Sequence, residues 1–143
     1  MLTAWISCNS SGILCDHMID CLELCDTAFP IAKEIDRSQK HVSFILDRKG
    51  KIVSIGTNKR KTHPKAMEHG YRFCELHSEL DCYLRVPESR RSDKLTLVNF
   101  RFNRFGDTRM SRPCTKCMPW CRAVFERIIY TTDYGFEEVK DIK

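Results

Sequence analysis

His77 and Glu79 stand two positions apart, and Cys114 and Cys117 follow 37 or more residues later in the stretch Pro113-Cys114-Thr115-Lys116-Cys117. One imidazole and two thiols make an open zinc site, because catalytic zinc commonly takes three protein ligands and keeps a fourth tetrahedral corner for water or substrate. Glu79 is the fourth functional group of the set. On a regular helix it would point about 200° away from His77, so the two can face one cavity only where a helix begins at the metal.

His-x-Glu followed by Pro-Cys-x-x-Cys is the signature of the zinc nucleobase deaminases. The chain therefore resembles the cytidine and deoxycytidylate deaminase superfamily, nearest its deoxycytidylate branch. Gly56-Thr57-Asn58 is similar to the Gly-x-Asn of that family, and Ser111-Arg112-Pro113-Cys114 to the small residue before its Pro-Cys. The resemblance runs from about Lys40 to Val139. It implies that His77, Cys114 and Cys117 hold Zn2+, that Glu79 shuttles protons without ligating the metal, and that Asn58 meets a nucleotide sugar. It also implies an α/β fold, a three-layer α-β-α sandwich with a mixed sheet of four to five strands. Histidine at position 77, where free-nucleoside deaminases typically carry cysteine, points away from that branch.

The chain has 143 residues, enough for one core. Its net charge of +5 is modest, and the sign favours a phosphate-bearing ligand over a cationic one. Nine cysteines would suggest disulfides in a secreted chain, but the odd number, the metal-type spacing and the lack of a signal-like start favour reduced thiols and a cytoplasmic address. No apolar run is long enough to span a membrane.

The elements that must position these residues can be read in order. Residues 1–19 form a cysteine-containing arm, broken by Ser10-Ser11-Gly12, and residues 20–143 form the zinc-dependent domain. In and just after the arm, Cys8, Cys15, His17, Cys21 and Cys25 could bind a second metal or simply pack; no Cys-x-x-Cys occurs among them, and no second site is assigned. Apolar residues between Asp20 and Ile35 recur at helical spacing, interrupted by Pro30. His41–Asp47 and Lys51–Gly56 are strands joined by a tight turn at Gly50.

Lys59–Pro64 reads as a basic loop, with extended geometry imposed before Pro64. His63 and His69 read as hydrogen-bonding residues, not ligands. A helix from about Leu76 to Arg85 carries His77 and Glu79 in its first turn. Leu95–Phe102 is a central strand. Cys114–Cys117 reads as a tight turn, with Pro119 in the first turn of the helix that follows. Ile128–Thr132 is a fourth strand, and the last residues supply a short edge element or leave the edge to a partner subunit.

Arg104 and Arg109 could meet phosphate, and Phe105 could stack on a base. Trp120 is core or pocket wall, and Cys121 a packing residue. With Asn58, the residues expected at the substrate are Ser78, Pro113 and Arg104. The expected reaction is conversion of cytosine to uracil on a free nucleotide such as dCMP, by a homo-oligomer that uses no membrane. The alternative is a cytidine or adenosine deaminase acting on single-stranded DNA, RNA or tRNA. A non-catalytic zinc module would need the three ligands but has no use for Glu79.

Overall fold

The computed structural model describes residues 19–72 and 75–140. Most of the arm, with Cys8, Cys15 and His17, lies outside the described residues. Helix α1 spans Cys21–Lys33, capped by the Asp20 carboxylate, which accepts from the Glu23 backbone N–H at 3.0 Å. It continues through Pro30, which leaves no N–H for the Asp26 carbonyl. Strands β1 (Lys40–Leu46) and β2 (Ile52–Thr57) pair antiparallel around Gly50, whose φ of 84° is the left-handed geometry this turn requires. Asp47 holds that turn by accepting from the Lys49 and Lys51 backbone N–H groups, both at 2.9 Å.

Helix α2 (Pro64–Glu68) is a correction to the basic-loop reading. His63 is extended, as a residue before proline should be, but its Nδ1 accepts from the Lys65 N–H at 3.1 Å. Pro64 is therefore the first residue of a helix, where its missing N–H costs nothing. Helix α3 (Ser78–Leu84), a 3₁₀ turn (Glu88–Arg90), strand β3 (Thr96–Phe102), helix α4 (Met118–Val124) and strands β4 (Arg127–Thr131) and β5 (Phe136–Glu138) complete the chain.

The five strands form one mixed sheet in the order β2-β1-β3-β4-β5, so the fold is α/β. Only β3 and β4 run parallel, and α4 lies on the crossover between them. Side chains alternate across a strand. One face carries Val42, Phe44, Leu46, Val98, Phe100 and Phe102 against α1. The other carries Ile45, Leu97, Ile128 and Tyr130 against α2, α3 and α4.

On that second face Gly56, Ser43 and Asn99 lie side by side across β2, β1 and β3. Gly56 is required there. A Cβ on it would lie 2.4 Å from the Cys82 backbone N and 2.6 Å from the Ser78 carbonyl oxygen, both backbone atoms of α3. The row of small and polar residues thus lets the start of α3 settle close to the sheet. The expected fourth and fifth strands are both present, the last as the three-residue β5 at an edge. Among the described residues no helix is long and apolar enough to cross a membrane.

Candidate metal centre and pocket

His77 is the residue on which α3 begins. Its φ and ψ of −74° and 152° are extended, whereas Ser78 and Glu79 are already helical. That break in backbone direction resolves the 200° problem, and it lets His77 and Glu79 face one space. A bridge between Lys59 and Leu76 fixes the approach to the helix, with backbone bonds of 3.0 and 3.1 Å. From α3 itself, Asp81 accepts from the Thr57 backbone N–H at 3.0 Å and from Lys59 Nζ at 2.6 Å. The Gly56-Thr57-Asn58 segment and the His77 segment are therefore locked together.

The second half of the site hangs from β3 and β4. Ser111 Oγ donates to the Asn99 carbonyl at 2.9 Å and accepts from the Thr131 N–H at 2.7 Å, pinning Ser111-Arg112-Pro113-Cys114 at the ends of both strands. Cys114 to Cys117 is a turn, closed by Cys117 N–H to the Cys114 carbonyl at 3.1 Å, and α4 starts at Met118 with Pro119 in its first turn.

The three donors converge. His77 Nδ1 lies 3.7 Å from Cys114 Sγ and 3.5 Å from Cys117 Sγ, and all three ligand atoms are within 4.8 Å of one another. Zinc bonds of roughly 2.0 Å to nitrogen and 2.3 Å to sulfur, meeting at a tetrahedral angle, separate N and S by about 3.6 Å. The cluster has that dimension before any ion is considered, and its donors suit zinc. No other cluster of three or more such residues occurs among the described residues.

The surroundings also suit a metal. His77 Nε2 lies 3.5 Å from Glu75 Oε1, a carboxylate placed to hold the ring with Nδ1 turned to the thiols. Tyr71 stacks on His77 at 4.5 Å between ring centres. Trp120 Nε1, which can only donate, gives its hydrogen to Tyr71 OH at 3.0 Å, and Tyr71 OH in turn lies 2.6 Å from Cys117 Sγ. A hydrogen bond from the Cys117 thiol, with another involving His77, holds the Cys114 thiol well below its usual range. Cys117 is correspondingly raised, first by that bond to Cys114 and then by burial. Burial works against a charged His77, but its bond to Cys114 and the Glu79 carboxylate outweigh that and raise it.

Glu79 is 6 % exposed, and burial raises its carboxyl against the opposing pull of its own N–H, His77 and Asn99. Asn99 Nδ2 donates to Glu79 Oε2 at 2.8 Å. Beside these groups lies a cavity of about 230 Å³, lined by Arg37, His41, Asn58, His77, Glu79 and Cys114 among others. It is smaller than the roughly 300–1,000 Å³ of drug-sized pockets.

The other expected site residues fall out differently. Asn58 lines the cavity, but both ends of its amide are used at the start of β1: Oδ1 accepts from the His41 N–H and Nδ2 donates to the carbonyl of Gln39 just before the strand, each at 3.0 Å. Ser78 borders the cavity, yet its hydroxyl is turned to Ser43 Oγ at 2.7 Å. Pro113 is buried and does not line the cavity, and Arg104 is exposed on the turn after β3, over the Phe105 ring. The cations that do line it are Arg37 and Arg112.

Cys121 is fully buried beside Cys117 and outside the ligand group, as packing requires. Cys21 is buried and Cys25 partly buried, both on α1. Sequence reasoning missed Tyr71, His41 and Asn99. The one available signal was Asn99 itself, a polar residue inside an otherwise apolar strand.

A scan against protein-family models gives no match, and a search of curated proteins gives none either.

Proposed function

We propose that the protein is a zinc-dependent hydrolytic deaminase with a cytidine deaminase-like sandwich, converting cytosine to uracil on a free nucleotide such as dCMP. One observation carries this reading: a buried carboxylate beside a cavity whose wall also presents an imidazole and a thiol of a zinc-sized donor cluster. A purely structural zinc site would gain nothing from burying Glu79 next to open space.

When bound, zinc acidifies a water so that it attacks near neutral pH. His77, Cys114 and Cys117 would hold the ion. Glu79 takes one proton from the attacking water and delivers it to the ring nitrogen, then carries the second proton of that water to the departing amine, as in zinc deaminases. A carbon–oxygen bond forms at the amine-bearing carbon, the carbon–nitrogen bond breaks, and ammonia leaves. Arg37 and Arg112 supply positive charge at the cavity for a nucleotide phosphate. The same reading includes a homo-oligomer, because among the described residues no further strand pairs with the outer sides of β2 and β5.

A second reading, a cytidine or adenosine deaminase acting on single-stranded nucleic acid, is favoured by Phe105 and Tyr134, 78 % and 82 % exposed, with Arg104 over the Phe105 ring. Ammonia release from dCMP, cytidine, adenosine and oligonucleotides containing cytosine or adenine, using zinc-loaded protein, separates the two. Turnover of dCMP supports the first; turnover of oligonucleotides alone moves the assignment to the second; no release from any substrate removes both. Glu79→Gln should retain zinc and lose at least about a hundredfold in turnover. Turnover equal to wild type would refute the role given to Glu79.

A further inference from the structure

Asn99 is 2 % exposed in the middle of β3, and every polar atom of its side chain is engaged. Nδ2 donates to Glu79 Oε2 at 2.8 Å and to the Ser111 carbonyl at 3.1 Å, while Oδ1 accepts from Ser43 Oγ at 2.6 Å. Both groups facing Nδ2 are acceptors, so the amide has one workable orientation. Turned over, it would set an oxygen against a carboxylate and a carbonyl.

The hydroxyls follow from this. Ser43 has one hydrogen and gives it to Asn99, so in its 2.7 Å contact with Ser78 it must be the acceptor. Ser78 has then spent its hydrogen as well. Its 3.5 Å approach to Glu79 Oε1 has nothing left to donate, and is long for a hydrogen bond. The chain from Ser78 through Ser43 and Asn99 runs one way and ends on Oε2. Among the described residues Oε1 has no side-chain donor.

We propose that Asn99 is a positioning residue: by holding Oε2 it fixes the plane of the Glu79 carboxylate and leaves Oε1 as the oxygen that meets the reacting atoms. The chemistry rests on the deaminase reading above, whereas the geometry rests on the hydrogen bonds alone. An asparagine present only to satisfy a buried acid would stabilise the fold without governing where that acid points.

Asn99→Leu keeps the branched skeleton, with somewhat bulkier tips, and removes the donors. Asn99→Ala is the second variant, small enough for the same space, should leucine not fold. Zinc content and thermal midpoint are measured first on both. In a high-resolution crystal structure of the zinc-loaded variant, the Glu79 carboxylate should leave its wild-type position or occupy more than one; a single conformer superimposing on wild type overturns the proposal.

On whichever substrate the wild type turns over, kcat should fall by about 10–100-fold, the usual cost of losing an outer-shell partner, with KM changed less than about threefold. Unchanged kcat, or an effect confined to KM, overturns it too. A wild type that turns over nothing sinks the deaminase reading instead, and the crystal structure of the variant still decides the role of Asn99.

Discussion

On the α1 face of the sheet, Phe100 packs between Phe44 and Phe136 at ring-centre distances of 5.6 and 5.5 Å and stacks on Phe102 at 6.1 Å. On the α3 face, the same central strands present Ser43 and Asn99, flanked by Gly56. The first arrangement buries large apolar groups with no polar atom to satisfy. The second forgoes that burial and spends hydrogen bonds to hold a carboxylate still. A sheet whose side chains alternate can do both at once, so one strand serves the core with its even positions and the site with its odd ones. The comparison predicts that damage to the first face should be felt as stability, and damage to the second as metal binding and chemistry.

The largest effect should come from the apolar face. Phe100→Ala removes a fully buried ring and should cost about 3–5 kcal/mol of unfolding free energy in urea titration. If enough folded protein remains, its zinc stoichiometry should equal that of wild type. A cost under about 1 kcal/mol would mean this face is not the core.

Next is Gly56→Ala on the other face. The atoms its Cβ would meet belong to the α3 backbone and cannot rotate away, so the helix itself must shift. A cost near the upper end of overpacking, about 3 kcal/mol, is expected. Because α3 carries His77 and Glu79, zinc should also be held less tightly than in wild type. Full stability with unchanged zinc affinity would show that the close approach is not needed.

Tyr71→Phe is narrower. It keeps the stack on His77 and removes only the hydroxyl that hydrogen-bonds with Cys117. Zinc affinity, measured by competition with a chromogenic chelator, should fall by about tenfold. An unchanged affinity would make Tyr71 a packing residue only.

The same division explains what the sequence revealed. Strands β1, β2 and β3 were legible because β-branched and aromatic runs are local signals, and His77, Glu79, Cys114 and Cys117 because metal chemistry limits the residue types and spacing. Asn99 reads as part of an apolar central strand, because its value depends on the register that sets it beside Ser43. Tyr71 gave no signal, since its bond to Cys117 joins residues 46 apart in the chain. Helix α2 was hidden because Pro64 reads equally as a breaker and as a first helical residue, and only the His63 side-chain cap decides between them. Arg104 has only its charge and loop position to mark it, whereas Arg37 reaches the cavity from a segment that no motif marks and Arg112 from within the Ser111–Cys114 stretch, where the neighbouring cysteine carries the signal.

The smallest expected effect tests the rim of the polar face. His41 lines the cavity, and burial, followed by the charges of Arg101 and His77, pushes its imidazole down to about 4. An unfolded chain holds a proton on such a ring below about pH 6.5, whereas the folded chain refuses it until about pH 4. Protons therefore favour the unfolded state between those values, and the stability attached to His41 is complete above pH 6.5 and lost as pH falls toward 4. Between pH 7.5 and 5.5 the loss from this residue should be about 1 kcal/mol, allowing for its partial exposure. His77 and the two thiols also titrate on acidification, but that contribution is common to wild type and His41→Gln and largely cancels in their difference. The thermal midpoint of wild type should thus fall further over this interval than that of His41→Gln, and parallel curves would mean that the pocket wall tolerates a charged imidazole.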